Sequence, residues 1–455
     1  MPAVIPRNAL AAACALWFVV ALPACRPASE PTVVCHAGAY RLHDGTVVAV
    51  SPTSDPDRLR WRLLDGRTGR LTPDARGEWT STLGWSDRTD GVRVRFGECA
   101  AGRIVFDGRA GNRLAFDVTD TTFAGAGVTL KGRLVLPKGA GPVPIVVQVH
   151  GSEDYSAVVF NHQQQWLPAH GIGVFVYDKR GTGDSSGRYS QDFSLLADDA
   201  QAAMREARRL AGPRAGRVGF GGGSQAGWVA PLAASRTAAD FVAVGYGLAD
   251  GPLAEDRDQV MLDLVAAGHG PDVLAKAREV TDATGAVIAS GFKRGFDRLD
   301  AVRVRYGHEP WWKDLRGEFT GELIKYPALA LRVVGPLRGS DTSWNYDPMP
   351  TLRGLPMPQL WVLAGADRKA PPVETRRRLL ALAAAGRPIT VVEFPQTDHG
   401  IHQFETGADG TRVETRIADG YFRLLIDWIK HGRLDGVPYG TAQLLAEPAA
   451  SPNSR

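Results

Sequence analysis

One stretch constrains the fold more than any other: "VGFGGGSQAGW", residues 218–228, which sets a single serine among closely spaced glycines. Glycine costs a strand or helix roughly 0.5–1 kcal/mol relative to alanine, so such a cluster calls for a geometric reason. An apolar run precedes it and "QAGWVAPLAAS" follows as a helix start. A sharp strand–turn–helix elbow supplies the reason, because it lifts the serine into a strained conformation and leaves the flanking positions almost no room. A phosphate cradle does not, since no lysine follows the glycines. "RGTGDSSG" (residues 180–187) likewise misses the G-x-G-x-x-G spacing.

The surrounding grammar is that of an α/β domain. "VPIVVQVHG" and "GIGVFVYD" are continuous apolar runs, as expected of strands buried on both faces, and "LLADDAQAAMREARRLAG" is helical. Strands alternating with helices imply a parallel sheet, whose ligands sit beyond the carboxyl ends of the strands. Ser224 lies at such an end. So do Asp367, after "MPQLWVLAGAD", and His399, after "ITVVEFPQTDH". A serine hydroxyl needs a base to take its proton, and the base needs an acid to fix its tautomer; the order Ser224, Asp367, His399 is the one such a sheet uses. Asp398 is a rival acid, but adjacent residues rarely hydrogen-bond carboxylate to ring in the needed orientation. "HGIH" places His402 three residues after His399 without any metal framework, so no metal is expected. An oxyanion hole is expected from the backbone N–H of Gln225 and from that of Ser152 in "HGSEDYS", with Gly151 as the alternative.

These motifs, "HGSEDYS", "DKRGTGDSSG", "GGGSQAG", "GADRKAPP" and "FPQTDHG", resemble those of the α/β-hydrolase superfamily. The resemblance points to secreted bacterial serine esterases close to the prolyl-oligopeptidase-type branch. It implies an α/β-hydrolase fold, a mostly parallel sheet flanked by helices, over residues 116–435, and an esterase that needs no cofactor. It also implies that Asp178 and Arg180 are an architectural pair. Residues 251–346 form an insertion of the kind that caps the active site in this fold. Trp311, Trp312 and Trp344 either line an acyl pocket there or pack the cap. Residues 439–455 read as a frayed tail.

The N-terminal part is separate. Residues 1–24, with the apolar run "ALAAACALWFVVAL", read as a signal peptide. "LPAC" resembles a lipobox, with Cys25 lipidated or with plain cleavage after Ala24. The protein is therefore expected to be exported, periplasmic or lipid-anchored at the bacterial envelope. Cys35 and Cys99 are left as a natural disulfide pair, or as two buried thiols. Residues 33–112 alternate as antiparallel strands: "RLRWRLL" puts Leu59, Trp61 and Leu63 on one face and Arg58, Arg60 and Arg62 on the other, read as solvated. Asp-Gly pairs at residues 44–45, 65–66, 90–91 and 107–108 mark turns. The 53 basic and 49 acidic residues are scattered, which gives nucleic-acid binding no support.

The expected reaction is ester hydrolysis through an acyl-enzyme on a small-molecule ester. A peptidase, an amidase or an acyltransferase could use the same triad, but no Glu pair or Arg sensor for a peptide terminus is recognisable. A non-catalytic envelope protein should have lost a triad member, and none is missing.

Overall fold

The computed structural model describes residues 34–338 and 341–448. The expected signal peptide, Cys25 and the last residues of the tail lie outside the described residues.

The N-terminal strands close on themselves. They are β1 (Gly38–Leu42), β2 (Val47–Pro52), β3 (Leu59–Leu63), β4 (Thr68–Pro73), β5 (Trp79–Leu83), β6 (Thr89–Phe96), β7 (Arg103–Phe106) and β8 (Arg109–Arg113), each antiparallel to the next. Pairing of Tyr40 with Arg113 joins β1 to β8 and completes an eight-stranded barrel. Alternation fills it: Val48, Val50, Leu59, Trp61, Leu63, Val94 and Phe106 all point inward and are buried. Three of the Asp-Gly pairs turn between successive strands, whereas Asp90-Gly91 falls inside β6, where the register with β5 is irregular. Cys35 and Cys99, 64 residues apart, are joined by a disulfide that ties the entry of β1 to the turn after β6. The outward arginines of β3 are not a solvated face. Arg60 is only 8% exposed, because a second domain covers that side of the barrel.

That domain is built on a nine-stranded sheet of β9 (Phe116–Ala124), β10 (Thr129–Pro137), β11 (Val143–Gln148), β12 (Gly173–Tyr177), β13 (Ala215–Gly223), β14 (Val242–Gly245), β15 (Gln359–Ala364), β16 (Ile389–Phe394) and β19 (Gln443–Ala446). Their spatial order is β19-β16-β15-β14-β13-β11-β12-β10-β9, parallel from β12 to β16 and antiparallel at both margins. Helices Phe193–Ala211 and Ala226–Ala234 cover one face; Gln163–Ala169 and Tyr421–His431 cover the other. Strands β12, β15 and β16 are buried at every residue, as continuous apolar runs require. The frayed tail is corrected in part: Tyr439 is buried, and β19 adds a margin strand to β16.

A hairpin, β17 (His402–Thr406) with β18 (Arg412–Ile417), follows His399 and carries the barrel. Trp85 donates its backbone N–H to the Glu414 carbonyl at 3.0 Å, and Ile417 donates to the Gly66 carbonyl at 3.0 Å. A Cβ at Gly66 would run into the Ile417 carbonyl, so the two surfaces meet backbone to backbone there.

Between β14 and β15 the chain forms the expected helical cap, with helices Pro252–Ala266, Pro271–Ala289, Phe296–Tyr306, Thr320–Leu323 and Ala328–Arg338 around their own apolar core. Buried Asp256 holds the cap together by accepting from the Phe319 and Thr320 N–H groups and the Thr320 hydroxyl. Among the described residues, no helix is long and apolar enough to cross a membrane.

Candidate active site

Ser224 follows β13 directly and holds φ at +56°, a region that non-glycine residues seldom occupy and that persists only where the surroundings impose it. They do so here. A Cβ at Gly223 would run into the Tyr246 ring, and one at Gly222 would meet the Val149 carbonyl. That hypothetical Gly222 Cβ would also lie 2.5 Å from the Ala226 methyl, so the bare position at 222 makes room for alanine at 226.

His399 and Asp367 meet as expected. His399 Nδ1 stands 2.9 Å from Asp367 Oδ2, which assigns the ring proton to Nδ1 and leaves Nε2 as an acceptor. Asp367 is 1% exposed; its other oxygen accepts the N–H groups of Lys369 and Ala370, both at 2.8 Å. That leaves the carboxylate one direction in which to face. Asp398 is engaged elsewhere: Oδ2 takes the Arg412 guanidinium at 2.6 Å, and Oδ1 takes the N–H groups of His399 and Arg368. Burial works to raise the Asp398 pKa, but these bonds outweigh it and hold the carboxyl below its ordinary value. His402 Nδ1 lies 2.7 Å from Glu414 Oε2, with its ring packed against Trp85.

Ser224, His399, Ser152 and Gln225 line one cavity of about 440 Å³. No acceptor among the described residues takes the backbone N–H of Gln225 or of Ser152. Lys179, buried beneath this loop, donates from Nζ to the Gly151 carbonyl at 2.9 Å. In a trans peptide the N–H of Ser152 points opposite to that carbonyl, so Lys179 fixes its direction. A hydrogen-bonded chain links the two N–H-bearing residues. The Gln225 side chain donates to Gln191 and Gln191 to the Tyr189 hydroxyl, which donates to the Ser152 carbonyl at 2.5 Å.

Several neighbours were not found in the sequence. Tyr246 sits edge-on to His399 at 4.9 Å, and burial pushes its hydroxyl pKa well up. Arg412 also donates to the Ala366 carbonyl, binding the acid loop to the histidine loop. Arg62 and Trp85 reach the cavity from the barrel, and Glu255 and Glu318 reach it from the cap. Only Tyr246 carried a legible signal, its place at the carboxyl end of a buried strand. The cap tryptophans divide: Trp344 lines the cavity, while Trp311 and Trp312 pack in the cap core. Asp178 and Arg180 are architectural without being a pair. Asp178 accepts from Ser156 and from the Val158 and Asp184 N–H groups, and Arg180 is bidentate to Asp199.

The sheet order and the elbow at Ser224 are those of the α/β-hydrolase fold. Residues 140–245, the segment that carries the elbow, match the family described as Hydrolase_4, serine aminopeptidase S33. No curated protein matches the chain in sequence. Among solved structures it is similar to the acylaminoacyl peptidase of Pyrococcus horikoshii, at 13% identity and a TM-score of 0.43, over 86% of this chain and 57% of that one. It thus spans little more than half that peptidase. It is also similar to an esterase of Pyrococcus furiosus, at 14% identity and TM-score 0.39, over 63% of this chain and 84% of that one. A puromycin hydrolase is similar at 16% identity and TM-score 0.39, over 77% and 50%.

Proposed function

We propose that this chain hydrolyses carboxylic esters through Ser224, His399 and Asp367. The observation that carries the reading is the 2.9 Å contact of His399 Nδ1 with a carboxylate that has no other direction to face, on the cavity that also holds the strained Ser224. His399 Nε2 takes the Ser224 proton as Oγ attacks the ester carbonyl carbon. The negative oxygen is received by the N–H groups of Gln225 and Ser152. The alcohol leaves with the proton from His399, and water then attacks the acyl-enzyme with His399 as base. Labelling with a serine-reactive fluorophosphonate, followed by a panel of ester and amide substrates, tests this. Ser224→Ala should remain folded, lose the label and lose on the order of 10⁶ in kcat. Hydrolysis above a tenth of wild type would remove the assignment.

A second reading, amide or peptide hydrolysis, has one observation in its favour: the Glu255 and Glu318 carboxylates on the cap side of the cavity could take a substrate amino group. Burial and the neighbouring carboxylates of Glu318, Asp367 and Asp256 push the Glu255 pKa well up, a strain that a cation would relieve. Faster turnover of aminoacyl amides than of esters in the same panel would favour it.

Export belongs to the same proposal. The leader and the Cys25 lipobox would place the enzyme at the envelope, where the Cys35–Cys99 bridge persists. Cys25→Ser should then release active protein into the soluble fraction; wild type already soluble, with a free amine at Cys25, would refute the anchor.

A further inference from the structure

Inward-facing Leu59, Trp61 and Leu63 turn Arg60 and Arg62 out of the barrel toward the catalytic domain. Arg60 donates to the Gly84 carbonyl at 2.7 Å and lays its guanidinium 4.5 Å over Trp85. Arg62 goes further and lines the cavity that holds Ser224 and His399. Its Nη1 donates to Ser51 Oγ at 2.8 Å, while Nε is buried with no hydrogen-bond partner.

Neither arginine has a carboxylate partner among the described residues. Glu414, whose charge acts on Arg60, is already bonded to His402. Glu153, on the same cavity wall, is exposed and lies back against Gly151. Glu255 and Glu318 belong to the cap. His162, facing the same space, adds no second positive charge, since burial and the charge of Arg62 drive its pKa well down. None of the carboxylates that line the cavity is ion-paired with Arg62, so its guanidinium has no salt-bridge partner among the described residues. Burial lowers Arg62 to about 9 and Arg60 to about 10, so both stay charged at neutral pH. A half-buried unpaired cation is costly, and an anion that arrives with the substrate offsets the cost.

We propose that Arg62 is a specificity residue that binds a carboxylate carried by the substrate, so that the preferred ester bears a free carboxylate besides the bond to be cleaved. One guanidinium balances one negative charge, and its planar fork matches a carboxylate. The barrel thereby takes part in choosing the substrate. This inference rests on Ser224 being the nucleophile.

The test compares matched esters on wild-type enzyme: 4-nitrophenyl hemiglutarate against 4-nitrophenyl pentanoate for a charge on the acyl side, and 4-acetoxybenzoate against its methyl ester for the leaving side. At least one pair should show kcat/KM favouring the charged member by about tenfold or more, the scale of one charge-assisted hydrogen bond. Arg62→Met, which keeps the apolar stem, should abolish that preference, and Arg62→Lys, which keeps the charge without the fork, should retain part of it. The readout is the ratio within a pair, so a general loss of activity does not imitate it. Wild type without preference in either pair overturns the proposal, as does a preference that survives in Arg62→Met. If Arg62→Met fails to fold, an undiminished preference in Arg62→Lys overturns it. Fluorophosphonate labelling separates the two levels: labelled Ser224 without charge preference sinks the role of Arg62 alone, whereas neither labelling nor hydrolysis sinks both.

Discussion

Lys179 ties the loop at Ser152, the proposed oxyanion loop, to the acidity of the medium. Burial holds its ammonium at about 8, opposed by the nearby Glu153 and Asp154 charges. As the ammonium loses its proton, its hold on the Gly151 carbonyl weakens and the Ser152 N–H loses its direction. The kcat profile should therefore fall above about pH 8, and Lys179→Arg, which stays protonated, should move the fall upward; an unmoved limb refutes the coupling. The fall would not be unfolding. Lys179 releases its proton at about 8 when folded and near 10.5 when unfolded, so between those values the unfolded chain binds more protons and this site makes stability rise with pH. Thermal melts over the same window check the sign. The two acids separate at this scale as well. Asp367→Asn should cost roughly 10⁴ in kcat, as loss of the partner that fixes the tautomer does. Asp398→Asn should act on stability first, through Arg412. Reversed effects in steady-state assays would make Asp398 the triad acid.

Among the elements, the elbow was the most legible, because its glycines are required by contacts within a few residues and by one neighbouring strand. Ser224, Asp367 and His399 were legible for a related reason: each ends a buried strand, and buried strands announce themselves as apolar runs. The hairpin β17–β18 was not legible. Its residues are polar and half-exposed, and its task is set by partners far away in sequence, such as Gly66 and Trp85. The arginines of β3 failed for the same reason: strict alternation tells which side of a strand faces out of the barrel, but not what stands there. Arg412 is the hairpin's link to the proposed catalytic loops, since it holds Ala366 and Asp398 on two different loops at once. Arg412→Met should lower kcat by about tenfold with a smaller change in KM, as misplacement of a catalytic group by a fraction of an ångström does. A change confined to KM would show that the loops keep their geometry without it.

At the scale of the molecule, three bodies with four cores, including one on each face of the large sheet, enclose the cavity at Ser224, and the bridge between Cys35 and Cys99 belongs to the barrel alone. Loss of a native bridge in a small domain typically costs about 2–5 kcal/mol, so reduction should lower the melting temperature of the barrel. Calorimetry with and without reductant reads this; a single unshifted transition would mean that the barrel does not depend on the bridge. The backbone seam between barrel and hairpin has a mechanical consequence. The hairpin begins three residues after His399, so an outward swing of the barrel would pull on the imidazole that Asp367 holds. Traffic in and out of the cavity is thereby assigned to the remaining wall, the helical cap, while barrel and histidine travel as one piece. Amide exchange should accordingly be slow at Trp85 and Ile417, whose N–H groups donate across the seam, and faster along the cap helices that face Ser224.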